Sequence, residues 1–416
     1  MTKVNHFYKS IMSSIKKFFP YIVLFLIVFV LYSKTIKYSL VNFDDKIFIQ
    51  DCASDYKKKT IWTDIFKNNV MMGKQDNSNS KVWIENNWNY PLYRPILTLS
   101  FAVESRLSKN PIRVAHIVNI LLHIACVFLF FFFVRRYLFS KTVSFLSTIF
   151  FAVHPLFVFS TAWIAGRNDT LLFIFFISSF IFFIEYLNKN NFVFFSLSAF
   201  LTLLGVFTKE TALLVPVVFI FYSFCEKKSN LITLPIYATW AIIVFLFLSM
   251  KSAAVSGSIC FSMIVIKKAI FALCDYFAAA TFLITPIKAS DSIPMLLIGA
   301  LSIFVLWFVV FFSKNSSSKL INFFYFALPF MWLLPTFLRG RLWFQGSRMI
   351  IPLFAIAILL FSFLSAYIES QKTKKTTITF IIFFIFLSCT ITYKKIEVFQ
   401  TSQTFQKAAG INMGRF

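Results

Sequence analysis

Two adjacent carboxylates, Asp44 and Asp45, follow the first apolar segment of the chain in Val41-Asn42-Phe43-Asp44-Asp45. At a membrane boundary water keeps such a pair ionised, and the preceding helix fixes its depth. That is a suitable place for a base that acts on a lipid-borne substrate. Three more charged clusters recur far along the chain: Arg167-Asn168-Asp169, Lys209-Glu210 and the loop from Arg339 to Arg348. Each lies at the end of an apolar run. Ionisable groups at helix ends near hydrocarbon are costly without partners and are often functional. Arg94, in a short run with Glu104 and Arg106, is a further cation of this kind.

The elements that position these residues are membrane helices. The chain has 416 residues, 59% of them hydrophobic and 20% aromatic, with 60 Phe. Mean hydropathy is +0.77, outside the range of soluble domains. Phe inserts well into hydrocarbon, so its abundance needs no functional reason. Apolar runs long enough to cross a bilayer fall at about 18–36, 111–133, 142–160, 170–187, 192–207, 211–224, 231–250, 294–312, 320–337, 349–367 and 376–392. The expected fold is an all-α multi-pass membrane protein with about eleven spans.

The net charge of +25 does not indicate nucleic acid, because Lys and Arg sit in short loops between spans. Such loops orient a membrane protein. Two stretches, about 93–107 and 262–284, are too charged or too short to assign as spans. Keeping both on one side makes every second loop basic, including Arg135, Arg136 and Lys141, then Lys227 and Lys228, then Lys372, Lys374 and Lys375. The N-terminus is then cytoplasmic, the C-terminus outside, and the two stretches are amphipathic or re-entrant helices on the outer side. All four charged clusters share that outer side. The N-terminal run reads as an uncleaved signal anchor.

The first outer loop, 37–92, is the one large hydrophilic segment. Trp62, Trp83, Trp88 and Tyr90 suit amphipathic helices on the membrane surface, and Gly73 to Ser80 reads as a turn. The chain divides into a membrane unit, 1–392, and a short extracytoplasmic tail, 393–416. The six Cys residues form no CxxC pair and predict neither disulfides nor zinc. Neither a Gly-rich phosphate loop nor HExxH is present.

The ordered set Phe43-Asp44-Asp45, Tyr93-Arg94-Pro95-Ile96-Leu97, His116 to His123, Phe151-Ala152-Val153-His154-Pro155, Ala162 to Asp169 and Lys209-Glu210 resembles a known family. It is similar to the membrane part of the transmembrane and tetratricopeptide-repeat O-mannosyltransferases and their bacterial relatives, in the glycosyltransferase-C superfamily. The match is good over about 18–225 and thinner beyond. The resemblance implies an inverting hexosyltransferase of the bacterial inner or plasma membrane. Its donor would be a polyprenyl-phosphate sugar, with mannose one choice. Its acceptor, met on the extracytoplasmic side, would be a protein hydroxyl, a lipid or a glycan; membrane lipids are partners and nucleic acid is not. The chain departs from the family where Phe159 replaces a usual Glu, and where Gln345-Gly346-Ser347-Arg348-Met349 keeps only the Arg of a late motif. A tetratricopeptide array is not among these 416 residues.

On that resemblance Asp44 is the base, which suits a carboxylate within reach of an acceptor hydroxyl, and Asp45 positions the acceptor or tunes its neighbour. Arg94, Arg167, Lys209 and Arg348 are the candidates for the leaving phosphate, with Arg348 first and Arg94 better suited to bracing the acidic loop. His154, Asp169 and Glu210 are supporting residues of the site, His154 as a candidate hydrogen-bond partner of sugar or phosphate. His116 and His123, seven apart, share a helix face and suit packing. The chemistry requires no cofactor and tolerates a divalent metal at Asp44-Asp45. Two other readings stay open: a transporter or flippase of lipid-linked sugars, and a non-catalytic membrane assembly protein derived from the enzyme fold.

Overall fold

The computed structural model describes residues 18–41, 44–67, 93–254, 265–283, 292–312, 316–338 and 346–409, and these contain helices and no strands. Trp83, Trp88 and Tyr90, the Gly73 to Ser80 turn, Arg339 and the basic residues before Phe18 lie outside the described residues.

The first span is α1 (Phe18–Lys37). The first loop follows as α2 (Asp44–Lys46), which runs on into a π-helical turn, then α3 (Ala53–Tyr56) and α4 (Ile61–Lys67). The next helices are α5 (Pro95–Leu107) and α6 (Pro111–Tyr137). A bent pair, α7 (Lys141–Ala152) and α8 (Pro155–Thr161), leads to α9 (Ile164–Lys189). Then come α10 (Phe192–Thr208), α11 (Glu210–Cys225) and α12 (Leu234–Ala254). The last part holds α13 (Val265–Phe282), α14 (Ile293–Phe311), α15 (Ser316–Leu338), α16 (Ile350–Glu369), α17 (Lys374–Ile396) and α18 (Ser402–Ala409).

Each of the eleven expected spans coincides with an apolar helix. Seven are long and apolar enough to cross a membrane, and the bent pair makes an eighth. The helices α10 and α11, and α15 over Lys319–Leu334, are shorter apolar helices. The protein is therefore a multi-pass helical membrane protein. The 43° bend has a local cause. Pro155 disfavours helix at the residue before it, and His154 is extended, with its ring nitrogen Nδ1 accepting from the Leu156 amide at 3.3 Å.

α9 and α16 are the most enclosed spans, while α14 and α17 are mostly open at the surface. Phe176, Phe180 and Phe354 pack at the centre, and Phe304, Phe311, Phe383 and Phe386 face outward, as lipid contact requires.

The hairpin of α9 and α10 places several of the polar residues. Asn190 closes α9 with φ of 50°, a left-handed conformation that Asn tolerates. Asn191 then caps α10, its side chain accepting from the Val193 amide at 2.9 Å. The antiparallel pair is joined mid-length by Ser179, which bonds the Ser198 carbonyl at 2.7 Å and the Thr202 hydroxyl at 2.8 Å. Such small polar residues hold membrane helices together. The hairpin brings Lys209, just past α10, back to the level of Asp169 near the start of α9.

The first loop builds a small core of its own. Phe48, Ile49, Cys52, Tyr56, Ile61 and Ile65 pack on Leu97, Phe101 and Ala102 of α5. These are the expected amphipathic helices, and α5, at 13 residues, is too short to span. The second unassigned stretch forms α13, and its Tyr276 to Ala280 are buried in the bundle. The helix α17 continues to Ile396, past the expected unit boundary at 392.

Candidate active site

Three ion pairs gather at the end of the bundle where α9 begins and α10 ends. Lys209 Nζ lies 2.5 Å from Asp169 Oδ1, and both side chains are almost wholly buried. One residue on, Glu210 accepts from Arg94 Nη2 at 3.0 Å and Nε at 3.3 Å. Arg94 thus braces the Lys209-Glu210 corner rather than the acidic loop. Burial pushes the Lys209 ammonium down to about 8; Asp169 pulls it back up, and the nearby Arg348 and Arg94 guanidinium groups oppose it. Lys251 also acts on Glu210, so four cations face two carboxylates here, leaving an excess of positive charge around the buried Lys209.

Arg348 comes from the 3-10 turn Gly346–Met349. The Phe159 ring fills the space beside that turn: a Cβ at Gly346 would lie 2.3 Å from Phe159 Cδ2. The Lys395 ammonium lies 5.7 Å from the centroid of the same ring. An aromatic ring between Gly346 and Lys395 thus stands at the position where the resemblance expects a carboxylate.

The adjacent carboxylates have separate environments. Asp44 is exposed, while Asp45 is 1% exposed. Asp45 Oδ1 accepts from the Ala165 amide at 2.8 Å and Oδ2 from the Val41 amide at 3.2 Å. Burial lifts the Asp45 carboxyl to about 7, against those two amides, which favour the charged form. Asp45 therefore pins the acidic turn to the start of α9, and Asp44 is the carboxylate of the pair that faces water.

Arg167 is fully buried. Its Nε donates to Asn119 Oδ1 at 2.8 Å, Nη2 to the Ala115 carbonyl at 2.9 Å, and Nη1 to Glu104. Its guanidinium lies 4.1 Å from the Phe101 ring centroid. This fork joins α9 to α5 and α6. Asn119 accepts from it and turns its amide toward the Trp163 carbonyl at 3.1 Å. His154 is also buried, with Nε2 3.2 Å from the Ala280 carbonyl; since Nδ1 accepts, Nε2 carries the proton and donates. His123 stacks on Phe157 at 4.0 Å, and His116 meets Tyr38 edge-on at 6.4 Å, so both histidines are packed inside. No group of three or more His, Cys, Asp and Glu side chains among the described residues could hold a metal ion.

Residues 91–252 match the family model of dolichyl-phosphate-mannose-protein mannosyltransferases. The protein O-mannosyl-transferase TMTC2 of Mus musculus and that of Homo sapiens are each 30% identical to this chain over 138 residues. That stretch is 33% of this chain and 15% of each relative, so the chain aligns with a small part of their length.

The mannosyltransferase-like segment contains Arg94, His154, Arg167, Asp169, Lys209 and Glu210. Asp44, Asp45 and Arg348 lie outside it and join it in space. The structure brings Lys209, Asp169, Arg94, Glu210 and Arg348 into one cluster and ties Asp45 to the first turn of α9. It sets Arg167 and His154 within the scaffold. Asn119 was not singled out from the sequence, although a lone Asn in an apolar span is a recognisable signal. Trp163, Phe399 and Phe405 stack together; Trp163 belongs to the motif Ala162 to Asp169, but none of the three was singled out as a site residue.

Proposed function

We propose that this protein is an integral-membrane glycosyltransferase that moves a sugar, mannose by its family match, from a polyprenyl-phosphate carrier to an acceptor hydroxyl on the extracytoplasmic side. The observation that carries this reading is the cationic cluster around the buried Lys209, where the half-buried Arg94 and Arg348 gather at one end of a segment matched to a mannosyltransferase family. A leaving phosphate needs fixed positive charge in a place of low dielectric. Arg348 and Lys209 supply it, while Arg167, enclosed by Glu104, Asn119 and Ala115, orders the scaffold.

A shallow apolar groove, open along its outer side, lies between α11 and α12, lined by Leu213, Val217, Tyr237, Trp240, Phe245 and Leu248. Leu213 lies just past Glu210 and Leu248 just before Lys251. A prenyl chain in this groove would bring its phosphate to the cationic cluster. Asp44 takes the proton from the acceptor hydroxyl as its oxygen attacks the anomeric carbon. The bond from that carbon to the phosphate oxygen breaks with inversion. The polyprenyl phosphate leaves with the electron pair, and Asp44 passes the proton to water. A protein Ser or Thr is the acceptor that fits the matched relatives.

The test is transfer by the purified protein in liposomes carrying a radiolabelled polyprenyl-phosphate sugar and a hydroxyl acceptor. Asp44→Asn should lower the rate about 10²–10⁴-fold, the usual worth of a positioned base, with unfolding unchanged. Wild-type rates in that variant would remove Asp44 as the base. Movement of the carrier across the bilayer without transfer would replace the enzyme by a transporter.

A further inference from the structure

The chain beyond α17 folds back onto the acidic turn and touches both of the segments that hold Asp45. On one side lies Ser39 to Val41. The Ser39 amide and hydroxyl both donate to the Gln400 carbonyl, at 3.2 Å and 3.0 Å, and the Ser402 hydroxyl donates to the Leu40 carbonyl at 3.2 Å. On the other side lies Trp163 to Ala165. The Trp163 ring stacks with Phe399 at 6.4 Å and with Phe405 at 6.5 Å, and those two rings lie 5.5 Å apart. The root is fastened as well. Lys34 Nζ donates to the Tyr393 carbonyl at 2.7 Å and to Glu397 at 3.1 Å. A reciprocal Thr401–Thr404 pair, with amide-to-hydroxyl bonds of 3.0 and 3.1 Å, starts α18 as a capping box does.

Val41 and Ala165 are the residues whose amides grip the two oxygens of Asp45. We propose that Tyr393 to Phe405 is a clamp that sets the position of the Asp44-Asp45 turn, with Trp163 and Phe405 as positioning residues. Its consequence for transfer rests on the glycosyltransferase reading, since a displacement of about 1 Å at a reacting group can cost about 10²-fold. The clamp itself does not rest on that reading.

Phe405→Ala tests it. The residue is half-buried beyond the last span, so the variant keeps the membrane bundle. Amide hydrogen exchange, which reports local opening, should rise at least about tenfold at both Ser39 and Val41. The transfer rate should fall several-fold with the KM for the polyprenyl-phosphate sugar unchanged, and Phe405→Tyr should restore both. Ser402→Ala, which removes one bond, should give a smaller rise at the same two amides. Unchanged exchange at Val41, whether or not Ser39 opens, would overturn the clamp. If the wild type transfers no sugar, the glycosyltransferase reading fails and the exchange result still decides the clamp.

Discussion

The two ends of the bundle treat their charged pairs differently. At one end Glu185 collects Arg136 at 3.2 Å, the Tyr137 hydroxyl at 2.7 Å and Lys189 at 2.7 Å, and Lys228 donates to Asn188 at 2.6 Å. The Arg136 and Lys189 side chains there are each 53% exposed. At the other end Arg167–Glu104, Lys209–Asp169 and Arg94–Glu210 are nearly sealed from water. Exposed pairs contribute little and are kept as anchors. Buried pairs carry a desolvation cost that hydrophobic packing would avoid. Their concentration at one end marks where the molecule gives up stability for a fixed charge pattern.

Substitutions at the sealed end should therefore be the costly ones. Arg167→Ala removes the donors facing Glu104, Asn119 and Ala115 and leaves the Glu104 carboxylate buried without its cation. Losing one partner of such a pair costs about 3–5 kcal/mol, and thermal unfolding in detergent should show it. A shift as small as that of a surface variant would mean that water enters this fork. Arg348→Ala should act on function instead. A hydrogen bond to a charged group is worth about 1.5–3 kcal/mol, so affinity for a polyprenyl phosphate should fall about 10–100-fold while acceptor affinity holds. Equal donor affinity would take Arg348 out of the phosphate site and leave Lys209 as its cation.

The contrast between the ends was partly legible in the sequence. Apolar runs gave the depth of each charged cluster, whereas the bend at His154-Pro155 and the turn at Asn190-Asn191 emerged only in the structure. Depth is set by counting residues along an axis, so Asp169 and Lys209 could be placed at one boundary. Which way a side chain points around that axis is set by packing, which residue type does not report. Arg167 and Asp169 are two residues apart, yet one is locked into the scaffold and the other pairs with Lys209. Asp44 and Asp45 are adjacent, and only the amides of Val41 and Ala165 decide which is enclosed. Phe159 shows the limit from the other side. Its departure from the family pattern was visible, but its packing on Gly346 comes from a contact nearly two hundred residues away.

Asp45 gives the contrast a pH signature. Its carboxyl is lifted by burial from 3.8 to about 7, so between about pH 4 and 7 the folded protein holds a proton that the unfolded chain has lost. The contribution of this group to stability is complete below that window and falls as pH rises through it, by at most about 1.4 kcal/mol per unit. Asp45→Asn cannot ionise and should lack this slope, so wild type should lose ground against the variant between pH 4.5 and 7 in detergent melts. An equal gap at both pH values would mean that Asp45 stays ionised throughout.

The smallest effect belongs to the open end. Glu185→Gln breaks contacts with Arg136 and Lys189, but both cations already reach water and lose little when released. The cost should be no more than about 1 kcal/mol, with transfer unchanged, because no residue of that end touches the cationic cluster. High salt should reduce the difference further, since exposed charges are screened. A loss approaching that of Arg167→Ala would show that burial does not separate the two ends, and the charges gathered around Lys209 would then need no functional cause.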